Sequence, residues 1–106
     1  MNRIEKALAP LALLKVQQRY IVDGTKNEYL VPEELLESAS AALEDQSITS
    51  ELSAVKAALA ACDLPESISA SQLVSEDAPW CALRSAAKTY LIATGFDLER
   101  WEAHEL

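Results

Sequence analysis

The stretch from Ser47 to Asp63 constrains the fold more than any other part of this chain. Its apolar residues Ile48, Leu52, Val55, Leu59 and Cys62 recur at intervals of 4, 3, 4 and 3. That rhythm places all five on one stripe of an α-helix. Ala54, Ala58 and Ala61 form a second file beside it, small enough to let a neighbouring helix come close. Thr49, Ser53, Lys56 and Ala60 form a solvent-facing strip. A helix that is apolar or small around most of its girth belongs inside a bundle. The sequence therefore predicts that 47–63 is the central helix, capped by Ser47.

The flanking segments read as further helices. Asn2 and Glu5 have the spacing of a capping box, and Ile4, Leu8, Leu11 and Leu14 or Lys15 follow at helical intervals. Pro10 removes a hydrogen bond to the carbonyl of Lys6, so the expected helix Arg3–Gln17 should bend there. Pro32 suits the first position of a second helix, with Glu33, Glu34 and Glu37 near its positive end. Leu35, Leu36, Ala39, Ala42 and Leu43 form its buried face, and Val31 can pack back on Leu35 or Leu36. This helix should stop near Asp45 and form an α-hairpin with the central helix.

Ser69 and Gln72 make a second capping box for a short helix, Ala70–Ser75. Asp77 caps a long helix to about Thr94, with the stripe Trp80, Leu83, Ala87, Tyr90 and Leu91. Gly95 is placed to end it in a left-handed conformation. Asp97 caps a last helix, and Phe96 and Trp101 have the spacing of a hydrophobic staple. Between the first two helices, Arg19-Tyr20-Ile21-Val22 and Glu28-Tyr29-Leu30-Val31 flank an Asp-Gly turn, which predicts a β-hairpin near residues 19–31.

With 106 residues the chain has the length of one domain. The expected fold is mainly α: four to five helices in a bundle-like single domain spanning 1–106, with the one small hairpin. Two glycines and four prolines are too few for a many-turned all-β chain. The N-terminal run is too interrupted by charge and Pro10 to read as a signal peptide. No apolar run approaches the roughly 20 residues that a membrane span requires. Cys62 and Cys81 form no CxxC pattern and read as reduced thiols, so the sequence predicts a cytoplasmic protein.

The net charge of −8 is unevenly spread: +2 over residues 1–31, −9 over 32–78 and −1 over 79–106. Phosphate affinity needs a basic footprint, so direct nucleic-acid binding by the middle section is disfavoured. A basic protein surface is the natural partner. The candidate contact residues are Glu33, Glu34, Glu37, Glu44, Asp45 and Glu51 around the α-hairpin. Carboxylates on a rigid helical scaffold imitate rows of phosphates, so the face could occupy a partner's nucleic-acid site. The exposed half of the hairpin, with Tyr20, Lys26 and Tyr29, is a second candidate contact.

Chemistry is less well supported. Two isolated glycines cannot build a phosphate loop. His104 is the single histidine, and no His or Cys spacing offers a metal site. No serine sits in a nucleophile-elbow context. The paired carboxylates stand on helix termini and polar faces, where charge is solvated and not tuned for catalysis. The expected function is that of a non-enzymatic, cofactor-free protein-binding module, such as an inhibitor, an antitoxin-like protein or a mobile-element protein that blocks a defence nuclease. Homodimerisation through the alanine-lined faces is also expected. The alternative is a helix-turn-helix-like DNA-binding regulator formed from segments 48–62, 70–75 and 79–94, with Arg84 and Lys88 facing DNA.

Overall fold

Four helices close a ring in the computed structural model, which describes residues 3–23, 31–44, 50–63 and 68–105. They are α1 (Arg3–Ala12), α3 (Pro32–Glu44), α4 (Ser50–Ala60) and α6 (Ala78–Ala93). Helix α1 packs on α6, α6 on α4, α4 on α3, and α3 back on α1. The α3–α4 side is the loosest of the four. Around this ring lie α2 (Leu14–Gln17), a π-helical segment (Gln18–Asp23), α5 (Ala70–Glu76) and α7 (Leu98–Glu105). The mainly α, bundle-like expectation therefore matches the described residues, with short accessory helices added. The Cα radius of gyration of 13.0 Å is that of a single packed core for a chain this long.

The ring is held by α1 and α6. On α1, Ile4, Ala7, Leu8, Ala9, Leu11 and Ala12 are all buried. On α6, Trp80, Leu83, Ala87 and Leu91 repeat at helical spacing and are fully enclosed. Helix α4 is peripheral by comparison. Leu52 and Val55 are buried, but Leu59 and Cys62 are only partly so, and Ala54, Ala57, Ala60 and Ala61 face outward. The expectation that this stretch is the central helix is thus corrected: α6 is central. The reason is the weak drive of alanine. One methyl group permits close packing but does not compel burial, whereas the bulky stripe of α6 removes far more apolar surface from water.

The predicted bend at Pro10 is displaced. Helix α1 runs through Pro10 and ends at Ala12, and Leu13 adopts an extended conformation (φ −122°, ψ 118°) before α2 begins. That single extended residue changes the phase of the chain. Val16 and Gln17 turn inward, while Leu14 is left 40% exposed, against its expected place on the apolar stripe.

The predicted β-hairpin is also corrected in its first half. Residues Gln18–Asp23 are π-helical and not a strand. Ile21 is buried, Tyr20 and Val22 pack against the core, and the segment lies against α5. Tertiary burial overrides the strand preference of this β-branched run. The turn and second strand, 24–30, lie outside the described residues, as do Asn2, Asp45 and the expected cap Ser47. Val31 is 41% exposed and does not fold back onto α3; its carbonyl instead accepts the first-turn hydrogen bond from Leu35 N at 3.0 Å.

The C-terminal signals hold. Ser69 and Gln72 form the capping box on α5, and the Asp77 carboxylate accepts from Trp80 N at 3.0 Å at the start of α6. At the other end, Phe96 N donates to Leu91 O and Gly95 N to Ile92 O, with Gly95 at φ 82°. This is the Schellman closure, and its left-handed residue suits glycine because a side chain there would be strained. Asp97 accepts from Arg100 N to cap α7, and Phe96 and Trp101 both pack against the core.

The ranking of helices is testable by urea denaturation. Leu83→Ala and Leu91→Ala should each destabilise by about 2–5 kcal/mol. Leu59→Ala, already partly exposed, should cost clearly less, and Ala57→Ser should stay within about 0.5 kcal/mol of wild type. Equal losses at Leu59 and Leu83 would refute the ranking.

Candidate functional site

The acidic residues converge on α3. Its buried face is Leu35, Ala39, Ala42 and Leu43. At 100° per residue, Glu33, Glu37 and Glu44 fall on the opposite face in one row, with Glu34 to one side. All four are exposed. Glu33 and Glu34 sit in the first turn, where the helix dipole favours them. Glu44 closes the last turn, where the dipole opposes a negative charge, and no basic residue accompanies it there. Asp45 lies outside the described residues. Glu51 is on α4, so the acidic set is split between two helices. Of the second candidate contact, Tyr20 is half-buried on the π-helical segment with the Arg19 guanidinium 5.5 Å from its ring centroid. It does not stand on a hairpin, and Lys26 and Tyr29 lie outside the described residues.

Beside this row the loose α3–α4 side of the ring opens into a groove of about 770 Å³. Leu36, Leu43, Leu59 and Cys62 contribute its apolar lining, Ser40 and Ala60 its mouth, and Glu37, Glu44 and Lys56 its charged rim. Leu36, Leu59 and Cys62 are each only half-buried. The sequence reading missed this groove. Its one signal was the width of the apolar face on α3, where Leu35, Leu36, Ala39, Ala42 and Leu43 span more than one neighbour covers.

A second constellation lies inside the fold. The Gln17 side chain is completely buried. Its Nε2 donates to Leu11 O at 2.8 Å and Pro10 O at 3.3 Å, carbonyls at the broken end of α1. Its Oε1 accepts from Trp80 Nε1 at 3.1 Å and from Arg84 Nη1 at 3.0 Å. Arg84 Nη1 also donates to Val74 O at 2.7 Å, and Nη2 to Cys81 Sγ at 3.4 Å. Arg84 is therefore turned into the structure, away from the DNA-facing strip that the alternative reading gave it. Lys88 alone of that pair is exposed. The single residue Asp77 between α5 and α6 is also shorter than the three- to four-residue turn of a helix-turn-helix.

The two cysteines are free and partly buried. Cys62 Sγ donates to Ala58 O at 3.4 Å and Pro79 O at 3.6 Å. Burial, with a smaller contribution from the Asp77 carboxylate, raises its pKa above 9.0. His104 is exposed on α7. Among the described residues no three His, Cys, Asp or Glu side chains gather into a group able to hold a metal ion. No described helix is long and apolar enough to cross a membrane. No protein-family model, curated protein or solved structure matches the chain.

Two outcomes are expected here. Gln17→Leu should destabilise by about 2–5 kcal/mol, because it strands buried donors and carbonyls. A double-mutant cycle with Trp80→Phe should show coupling of about 0.5–3 kcal/mol; additive losses would remove the hub. Cys62 has a raised pKa in the fold, so the folded state retains a proton that the unfolded chain releases. Its contribution is fully present below the unfolded value of 9.0 and is lost as pH rises through the folded value. Denaturation midpoints should fall more steeply with pH between 9.0 and that raised folded value for wild type than for Cys62→Ala.

Proposed function

We propose that this chain is a non-enzymatic protein-binding module whose acidic α3 face engages a basic surface of a partner protein. The observation that carries this reading is the row Glu33, Glu37 and Glu44, exposed along a single helix of a chain with net charge −8. Glu44 adds to it, since its charge stands at the end of α3 where the helix dipole makes it unfavourable. Carboxylates spaced along a rigid helix resemble a run of phosphates. A partner's nucleic-acid-binding surface is the complement they fit best, as in an inhibitor, an antitoxin-like protein or an anti-defence protein of a mobile element. Complementary charge of this kind raises the association rate and is screened within about 10 Å at 0.1 M salt.

The test begins with affinity capture and mass spectrometry to identify the partner, followed by a salt titration of binding. Replacing Glu33, Glu34, Glu37 and Glu44 together with Gln should leave the melting temperature nearly unchanged, because the side chains are exposed. Partner binding should weaken and its salt dependence should flatten. An unchanged salt slope rejects the acidic face. A gel shift with mixed-sequence duplex should show no specific complex. A complex abolished by Lys88→Ala in a variant of unchanged stability would reinstate DNA binding.

A further inference from the structure

We infer that the α3–α4 groove receives one amphipathic helix of the partner, with an apolar ridge and basic residues along the flank facing α3. This inference rests on the acidic-face reading and specifies the chemistry of its partner. The groove opens where the ring of helices is least tightly closed, and its lining leaves Leu36, Leu59 and Cys62 half-covered on facing walls. Apolar side chains repeating every three or four residues on an incoming helix would fill that space. A small molecule would bury little of itself in so wide a mouth.

The rim states the charge of the occupant. On the α3 wall, Glu37 and Glu44 are two helical turns apart, about 10 Å along the axis. Lysines or arginines seven residues apart on a parallel or antiparallel helix would meet both. On the α4 wall the rim residue is Lys56, so the opposite flank of the visitor should be neutral or acidic. The same pattern argues against other occupants. A second copy of this chain would bring another net charge of −8 to the contact and set the glutamate rows near one another. Nucleic acid and anionic lipid surfaces would be repelled by the same carboxylates.

The probe is a labelled synthetic helical peptide with leucines at alternating three- and four-residue spacing and lysines seven apart on one flank. A scrambled peptide of the same composition and an oligolysine serve as controls, with binding followed by fluorescence anisotropy. The amphipathic peptide should bind at least about tenfold more tightly than either control. Ser40→Gln combined with Ala60→Gln, both exposed positions at the groove mouth, should reduce its affinity by a similar factor without altering the melt. A second measurement uses the wild-type chain alone. Bound peptide should slow maleimide alkylation of Cys62, which lines the groove, and leave Cys81, which does not, unaffected.

Other outcomes overturn the inference in distinguishable ways. If all three peptides bind equally and the four-Gln variant weakens them alike, the acidic face stands and the groove falls. If the amphipathic peptide protects Cys62 but binds independently of salt and of the four glutamates, the basic occupant and the acidic-face reading both fall. A wild-type dimer by light scattering that the Ser40/Ala60 variant converts to monomer assigns the groove to a second copy. No binding of the amphipathic peptide at high micromolar concentration also overturns it.

Discussion

The side-chain amide of Gln17 is the interaction on which the arrangement of helices depends. Helix α1 breaks at Leu13, and the break leaves carbonyls of its last turn without a following helical turn, that of Leu11 buried and that of Pro10 partly so. Unmet, each would destabilise the fold by about 1–3 kcal/mol. The NH₂ of Gln17 reaches back to two of them, while its oxygen gathers the Trp80 indole and the Arg84 guanidinium. Through Arg84 the network continues to the carbonyl of Val74 on α5. One residue thus ties the end of α1, the central helix α6 and the short helix α5 into fixed relative positions.

That tie shapes the rest of the ring. With α1 and α6 locked by bulky apolar stripes and by the hub, the remaining pair, α3 and α4, closes the ring with smaller residues. Alanine-rich α4 has little apolar surface to drive a tight seam, so its contact with α3 stays open along Leu36 and Leu59. The groove is therefore a consequence of where large side chains were spent in the core. The acidic row on α3 stands beside it because the helix that buries Leu35, Ala39, Ala42 and Leu43 must present its other face to solvent.

A functional reading of Arg84 illustrates how charge alone misleads. Two basic residues one turn apart on a long helix resemble a phosphate-binding strip. A guanidinium, however, also satisfies buried acceptors in several directions at once, and here it does so with Gln17 and Val74. The carboxylates of α3 differ because they are exposed, and their row is fixed by helical spacing.

Local signals settled much of this protein from the sequence alone: the mainly helical class, the Ser69–Gln72 box, the Asp77 and Asp97 caps, the left-handed Gly95 and the start of α3 at Pro32. Each depends on residues within a few positions of one another, so the chain carries the information without its fold. The acidic row was legible for the same reason. Only the tertiary structure decided which helix is central, where the first helix breaks, that 18–23 is helical, and that a groove opens beside the glutamates. These depend on which surfaces compete successfully for burial. Gln17 shows the limit most clearly: nothing in its own neighbourhood marks it as buried, because two of its partners, Trp80 and Arg84, lie 63 and 67 residues away.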